Sequence, residues 1–146
     1  MNTLSVIMAT YNENRGFLQN CIQSILNQTY RDFEFLIVIE PGESNKEYLK
    51  SLASTDNRIR VIENNSRLGV AASRNRAIKE SRGKYVALID GDDYCDVSRF
   101  EKQISFLENN AEISVVGSNM LLVDEKDNIV GKYLDSFIME INDDQG

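Results

Sequence analysis

Four short apolar runs, separated by residues of helical periodicity, constrain this chain more than any other feature. The first is Leu4 to Ala9, "LSVIMA", closed by the polar "TYNEN". A strand buried on both faces reads as such a near-continuous run, and parallel strands need a crossover that is usually a helix. Leu18, Cys21, Ile22, Ile25 and Leu26 then recur at helical spacing and predict that crossover. The second run, Phe33 to Ile39, "FEFLIVI", stops at "EPGES", where Pro41 and Gly42 break it. Ser44 with Glu47 forms a capping-box pattern ahead of Tyr48, Leu49 and Leu52. A third strand is expected over Ile59 to Ile62, a third helix over Val70 to Ser81 with Gly83 in a C-cap position, and a fourth strand over Tyr85 to Ile89. Ser98 and Glu101 repeat the capping pattern before a helix with Phe100, Ile104 and Leu107 on one side. Ile113 to Val123 predicts a strand, and "DEKDN" a turn into Ile129 to Tyr133. "MEINDDQG" gives no firm element.

This alternation implies an α/β fold with a mostly parallel sheet covered on both faces. At 146 residues the chain suits one domain with a proper core. Ligands of such sheets bind outside the carboxyl ends of the strands. Three polar loops are therefore expected on one edge: "TYNEN", "EPGES" and "DGDDYCD".

Charge and composition narrow the function. Sixteen basic against 23 acidic residues give a net charge of -7, a field that repels nucleic-acid phosphates and anionic membranes. No apolar run approaches the roughly 20 residues of a transmembrane helix. The N-terminus lacks a signal peptide's basic start and cleavage site, so a cytoplasmic protein is expected, or one peripheral at the inner face of a membrane. Two cysteines fit a reduced compartment; Cys21 reads as core, and Cys95, beside the acidic loop, as an incidental small residue. The absence of histidine removes histidine-based triads, bases and metal ligands together. Chemistry must run on carboxylates, hydroxyls, cations or a bound hard metal.

"ALIDGDDYCD" places four aspartates within seven residues directly after the fourth apolar run. Asp90, Asp92 and Asp93 raise one another's pKa unless solvated or matched by a cation. A solvated loop with one helix-capping aspartate is the bland alternative. The functional one is a magnesium or manganese ion held by one or two carboxylates while substrate phosphates supply more oxygens. An EF-hand starting at Asp90 fails, because Cys95 stands where the sharp turn needs glycine. A P-loop lysine pattern is absent, and "ATYNE" follows the first strand where a phosphate-transfer aspartate would stand. Between Arg67 and Lys84 lie six basic residues against Glu80 alone. Lys79, Arg82 and Lys84 suit a solvated face, whereas Arg74, near the start of its helix, suits contact with an anionic ligand.

"SVIMATYNE", "SILNQTYRDFEFLIVIEPGES" and "SRLGVAASRNRAIKESRGKYVALIDGDDY" together resemble the nucleotide-sugar-binding part of a family 2 glycosyltransferase with the Rossmann-like GT-A fold. The resemblance covers most of residues 4 to 120. It implies that Thr10, Tyr11 and Glu13 line the nucleoside pocket and that Glu40 stands where an aspartate usually contacts the base. It also implies that Asp90 and Asp92 are the ribose and metal carboxylates, with Asp92 the direct ligand of Mn2+ or Mg2+. Arg74 and Asn75 match a recurring pair, of which Asn75 is expected to be structural. The donor implied is a nucleotide-sugar, a UDP-sugar by preference, and the acceptor a glycan or lipid-linked sugar, with inversion at the anomeric carbon.

Two departures accompany the resemblance. The usual Asp-Asp-Gly-Ser appears as Glu40, Pro41, Gly42 and Glu43, which leaves base preference open, and Ala9 replaces a common proline. Family members usually continue for another hundred or so residues that supply the acceptor pocket and the catalytic base. Residues 1–146 are therefore expected to be one donor-binding domain, a fragment whose base lies beyond Gly146. A non-catalytic nucleotide-sugar-binding module and an unrelated magnesium-dependent phosphotransfer domain remain as alternatives.

Overall fold

The first two apolar runs pair in parallel along their whole length, from Leu4 opposite Phe33 to Thr10 opposite Ile39. The structure, a computed structural model, describes residues 3–133. In chain order it contains β1 (Leu4–Thr10), α1 (Arg15–Leu26), β2 (Phe33–Ile39), α2 (Lys46–Thr55), β3 (Ile59–Glu63), α3 (Gly69–Glu80), β4 (Tyr85–Leu88), α4 (Arg99–Asn109), β5 (Met120–Val123) and β6 (Ile129–Tyr133). The four-stranded sheet runs β3-β2-β1-β4 and is parallel throughout. The chain winds outward from β1 through β2 to β3, then returns through α3 to place β4 on the other side of β1. The order thus reverses between β1 and β4, where open α/β sheets leave a crevice at the carboxyl ends.

Alternation along the central strands sorts the core into two layers. Leu4, Val6 and Met8 of β1 and Phe33, Phe35, Ile37 and Ile39 of β2 face one layer, with Leu18, Cys21, Ile22 and Ile25 of α1, Leu49 of α2 and Phe100 and Ile104 of α4. Ile7, Leu36, Val38 and Ile62 face the other, where Ala77 of α3 meets them. At the sheet's amino end, buried Glu34 accepts from Ser5 Oγ and the Arg82 backbone N–H, both at 2.6 Å. A Cβ on Gly83 would lie 2.6 Å from the Ser5 nitrogen. Gly83 therefore serves a close approach; the C-cap of α3 is Ser81.

Several expectations change. Neither capping box forms: α2 starts after Asn45 rather than Ser44, and neither Asn45 nor Ser98 caps its helix with a side-chain hydrogen bond. Asn45 and Glu101 are drawn elsewhere, Asn45 to Glu43 and Glu101 to the Thr29 hydroxyl. The strand expected over Ile113 to Val123 shortens to Met120–Val123. Gly117, Ser118 and Asn119 interrupt the apolar run, and β5 pairs antiparallel with β6 instead of joining the main sheet. Among the described residues no helix is long and apolar enough to cross a membrane.

Candidate functional site

The crevice between β1 and β4 receives the loops after both strands. Thr10 ends β1, is 4% exposed, and its Oγ1 has no hydrogen-bond partner among the described residues. Gly91 passes so close that a Cβ there would lie 3.2 Å from Glu13 Cγ and 3.4 Å from Thr10 Oγ1. A glycine between Asp90 and Asp92 thus lets the acidic loop rest on the first loop while both carboxylates stay exposed. From behind, α1 and the turn that follows it anchor the acidic loop. The Cys21 thiol donates to the Asp90 carbonyl at 3.2 Å, and Gln28 Nε2 donates to the Asp96 carbonyl at 2.7 Å. Burial pushes the Cys21 thiol up to about 12, so it acts as a core group. Cys95 packs against Ser24 and Gln28, a more specific place than its expected incidental role.

Negative charge accumulates at this junction. Burial raises the Glu13 carboxyl above its ordinary value, helped by Asp92, Asp90 and Glu43. Asp93 is likewise raised, first by burial and then by Asp92 and Asp90. The Arg74 guanidinium is ion-paired with Asp90, and its buried Nε has no hydrogen-bond partner among the described residues. Two orphaned buried polar atoms, Thr10 Oγ1 and Arg74 Nε, therefore belong to residues flanking the same acidic loop.

Among the described residues no group of three or more carboxylate or thiol ligands could hold a metal alone. The oxygen donors of Asp90 and Asp92 suit a hard cation that takes one or two protein carboxylates and completes its shell with water and phosphate. The glycine between them and the crowding of acidic groups fit such an ion, with Asp92 unencumbered by Arg74.

On the far side of the first loop, Glu40 leaves β2 and takes up the start of α3. Its Oε1 accepts from the Leu68 and Gly69 backbone N–H groups at 3.1 and 2.8 Å, and from Ser73 Oγ at 3.2 Å. Burial opposes ionisation, but these donors outweigh it and hold Glu40 below the usual glutamate value. Glu40 is thus already engaged with the polypeptide, beyond its expected place against a base. Tyr11 is covered by Arg67, whose guanidinium carbon lies 4.4 Å from the ring centroid. Asn75 is exposed, and Lys84 pairs with Glu108.

Two participants escape a linear reading. Glu43, only 6% exposed, joins the second loop to the first, and Arg67 reaches across 56 positions to Tyr11. Glu43 carried a signal, an acid where the family pattern has serine. Arg67 carried only its membership of a basic stretch.

The sheet order and the site at its reversal define a GT-A fold, of which the chain carries part. A mannosyltransferase from Pyrobaculum calidifontis, solved with GDP-Man and Mn2+, superposes with a TM-score of 0.65 at 22% identity over 72% of this chain and 32% of that one. Residues 5–142 match the model of glycosyl transferase family 2, and the chain belongs to that family. An uncharacterized glycosyltransferase of Methanocaldococcus jannaschii is 42% identical over 132 residues, 89% of this chain and 46% of the relative. A UDP-Glc:alpha-D-GlcNAc-diphosphoundecaprenol beta-1,3-glucosyltransferase of Escherichia coli is 33% identical over 131 residues, 90% of this chain and 50% of the relative. The chain spans about half the length of these relatives.

Proposed function

We propose that this chain is the donor-binding portion of a divalent-metal-dependent, inverting glycosyltransferase. It takes a sugar from a nucleoside-diphosphate sugar, a UDP-sugar by preference, and passes it to a glycan or lipid-linked acceptor. The observation that carries this is the meeting of Thr10, Glu13, Arg74, Asp90 and Asp92 at the sheet's reversal point, with two buried polar atoms there unpartnered among the described residues. The Escherichia coli relative, which uses UDP-Glc and a lipid diphosphate acceptor, supports the substrate classes.

In this reading Tyr11 and Glu13 bind the nucleoside, with Glu40 at the base side. Asp92, assisted by Asp90, would hold Mn2+ or Mg2+. The bound cation supplies Lewis-acid neutralisation of the departing diphosphate. Arg74 contributes a permanent positive charge beside the same group and orients Asp90. The acceptor hydroxyl needs a proton acceptor within about 2.6–3.2 Å. Asp135, Glu140, Asp143 and Asp144, unassigned acids of the tail, lie outside the described residues, and a base further along the polypeptide is the preferred assignment.

Calorimetry with UDP, GDP and dTDP, with and without Mn2+, tests the donor site. Cation-dependent binding of one of them is expected, and none binding would reject the proposal. Incubation with nucleotide-sugars and acceptors is expected to give slow donor hydrolysis without efficient transfer. Glycosylated acceptor at ordinary turnover would show that residues 1–146 hold the base.

A further inference from the structure

We infer that Glu43 is a positioning residue for the nucleoside pocket, acting through the left-handed backbone of Asn12; this rests on the donor-binding reading above. Glu43 is 6% exposed, and among the described residues its carboxylate is satisfied by N–H donors rather than by a cation. Its Oε2 accepts the Asn12 backbone N–H at 2.8 Å. Its Oε1 accepts the Asn45 backbone N–H at 2.8 Å and Asn45 Nδ2 at 3.0 Å. Asn12 answers in kind, its Oδ1 accepting the Ser44 backbone N–H at 2.8 Å. Two loops 31 positions apart are thereby closed by reciprocal hydrogen bonds.

What the clip holds is an uncommon conformation. Asn12 has φ 55, a left-handed geometry that asparagine tolerates better than most residues but that still needs support. Its neighbours are Tyr11 and Glu13, so the torsion at Asn12 sets the angle between an aromatic ring and a carboxylate on the same short loop. Asn45 extends the clip by donating from Nδ2 to the Glu13 carbonyl at 2.9 Å and accepting Arg15 Nε at 2.7 Å. Arg15 in turn lies 4.3 Å above the Tyr48 ring of α2. The first loop is therefore referenced to the body of the domain through one buried carboxylate. Serine, shorter by two bonds and without a second oxygen, cannot make both halves of this bridge.

Among the described residues none of the hydrogen bonds of this network reaches the Asp90–Asp92 loop, which packs on Glu13 and Thr10 at Gly91 and is held from behind by Cys21 and Gln28. Disturbing Glu43 should impair recognition of the nucleoside while sparing the diphosphate and cation. The test uses Glu43→Ala and Glu43→Gln in the whole chain, titrated with the tightest nucleoside diphosphate of the UDP, GDP and dTDP panel and separately with pyrophosphate, each with Mg2+. Glu43→Ala should weaken the nucleotide about tenfold or more, the scale of a charge-assisted hydrogen bond, and leave pyrophosphate within about twofold. Glu43→Gln, which keeps one acceptor but points an amide at a backbone donor, should fall between and carries the test if the alanine variant unfolds. Equal loss of both ligands, or loss of neither, would overturn the inference. A parent that binds no nucleotide would instead reject the donor-binding reading and, with it, any donor-positioning role. The amide proton coupling of Asn12 reads the clip without ligand: an unchanged coupling in folded Glu43→Ala overturns it whatever the titrations show.

Discussion

The two flanks of β1 are built differently. On the β2 side every strand residue from Phe33 to Ile39 is buried, and β3, the edge on that side, is buried or half-buried along its length, with α2 packed against it. On the β4 side the strand is the edge of the main sheet among the described residues, and Val86 and Leu88 are 42% and 44% exposed. The β5–β6 hairpin beyond it shows the same openness, with Met120, Leu121 and Leu122 about half exposed. A groove of about 430 Å³ runs along β4, lined by Leu88, Phe100, Ile104 and Val115 among others. The first two loops grow from the sealed flank and are cross-linked by Glu43 and Asn45. The acidic loop grows from the open one and depends on α1 for support. The proposed nucleoside and cation sites therefore stand on unequal supports.

The largest test of this contrast is a core truncation on each flank. Phe35→Ala, at a fully buried position of β2, should cost about 3–5 kcal/mol. Leu88→Ala should cost less than about 1.5 kcal/mol, since much of that side chain is already in water. Urea unfolding of the two variants reads both values, and equal losses would erase the distinction.

Next in size is the proposed cation site. Asp92→Asn should keep the fold but weaken Mn2+-dependent nucleotide binding by more than about tenfold, because loss of even an outer-shell partner costs about 10–100-fold. Asp93→Asn should do less. Calorimetry giving the same affinity for both variants as for the parent would remove the assignment of Asp92.

Glu40 then separates a structural from a recognition role. Glu40→Ala deprives two backbone N–H groups at the start of α3 of their acceptor and should cost about 1 kcal/mol, the scale of an N-cap. Nucleotide affinity should fall by about 1–3 kcal/mol, with or without cation. Because its folded pKa is lowered, the parent's Glu40 contributes stability fully above the ordinary glutamate value and loses it as pH falls through the lowered one. The alanine variant should lack that part of the acid dependence. Urea midpoints that differ between the two proteins by the same amount across this range would reject the capping role.

Periodicity made the four parallel strands and four helices legible because burial on both faces leaves nearly unbroken apolar runs. It failed at Ile113–Val123, where β-type residues lack a ladder partner over their first half and hydrophobicity cannot reveal which edge is vacant. Capping patterns failed at Ser44 and Ser98 because Glu43 engages Asn45, the Ser98 hydroxyl donates to Asp96, and Glu101 accepts from Thr29. The meeting of Thr10, Glu13, Asp90 and Asp92 followed from topology alone. The Glu43 clip and the Arg74–Asp90 pair did not, since both depend on side-chain reach across elements distant in sequence.

The smallest expected effect sets stability against binding in one substitution. Glu13 lies beside Gly91, and after burial Asp92 contributes most to its raised pKa. Asp90 follows, its charge offset by the Arg74 guanidinium. Removing the Asp92 charge eases ionisation of Glu13, so Asp92→Asn should lower the Glu13 pKa toward the ordinary value, and Asp90→Asn should lower it less. A raised carboxyl pKa means that the folded chain disfavours the ionised form. This penalty is present above the folded pKa and vanishes below the unfolded one, where Glu13 is neutral in both states. Asp92→Asn should therefore slightly stabilise the chain near neutral pH and leave acid stability unchanged. The substitution that weakens cation-dependent binding most is thus expected to make the cation-free chain slightly more stable, the usual trade at a charged site. Carboxyl carbon NMR titration of Glu13 in the parent and both variants reads the shifts. A Glu13 pKa that moves more with Asp90→Asn than with Asp92→Asn would place the uncompensated charge on Asp90 and reverse the order of the two aspartates.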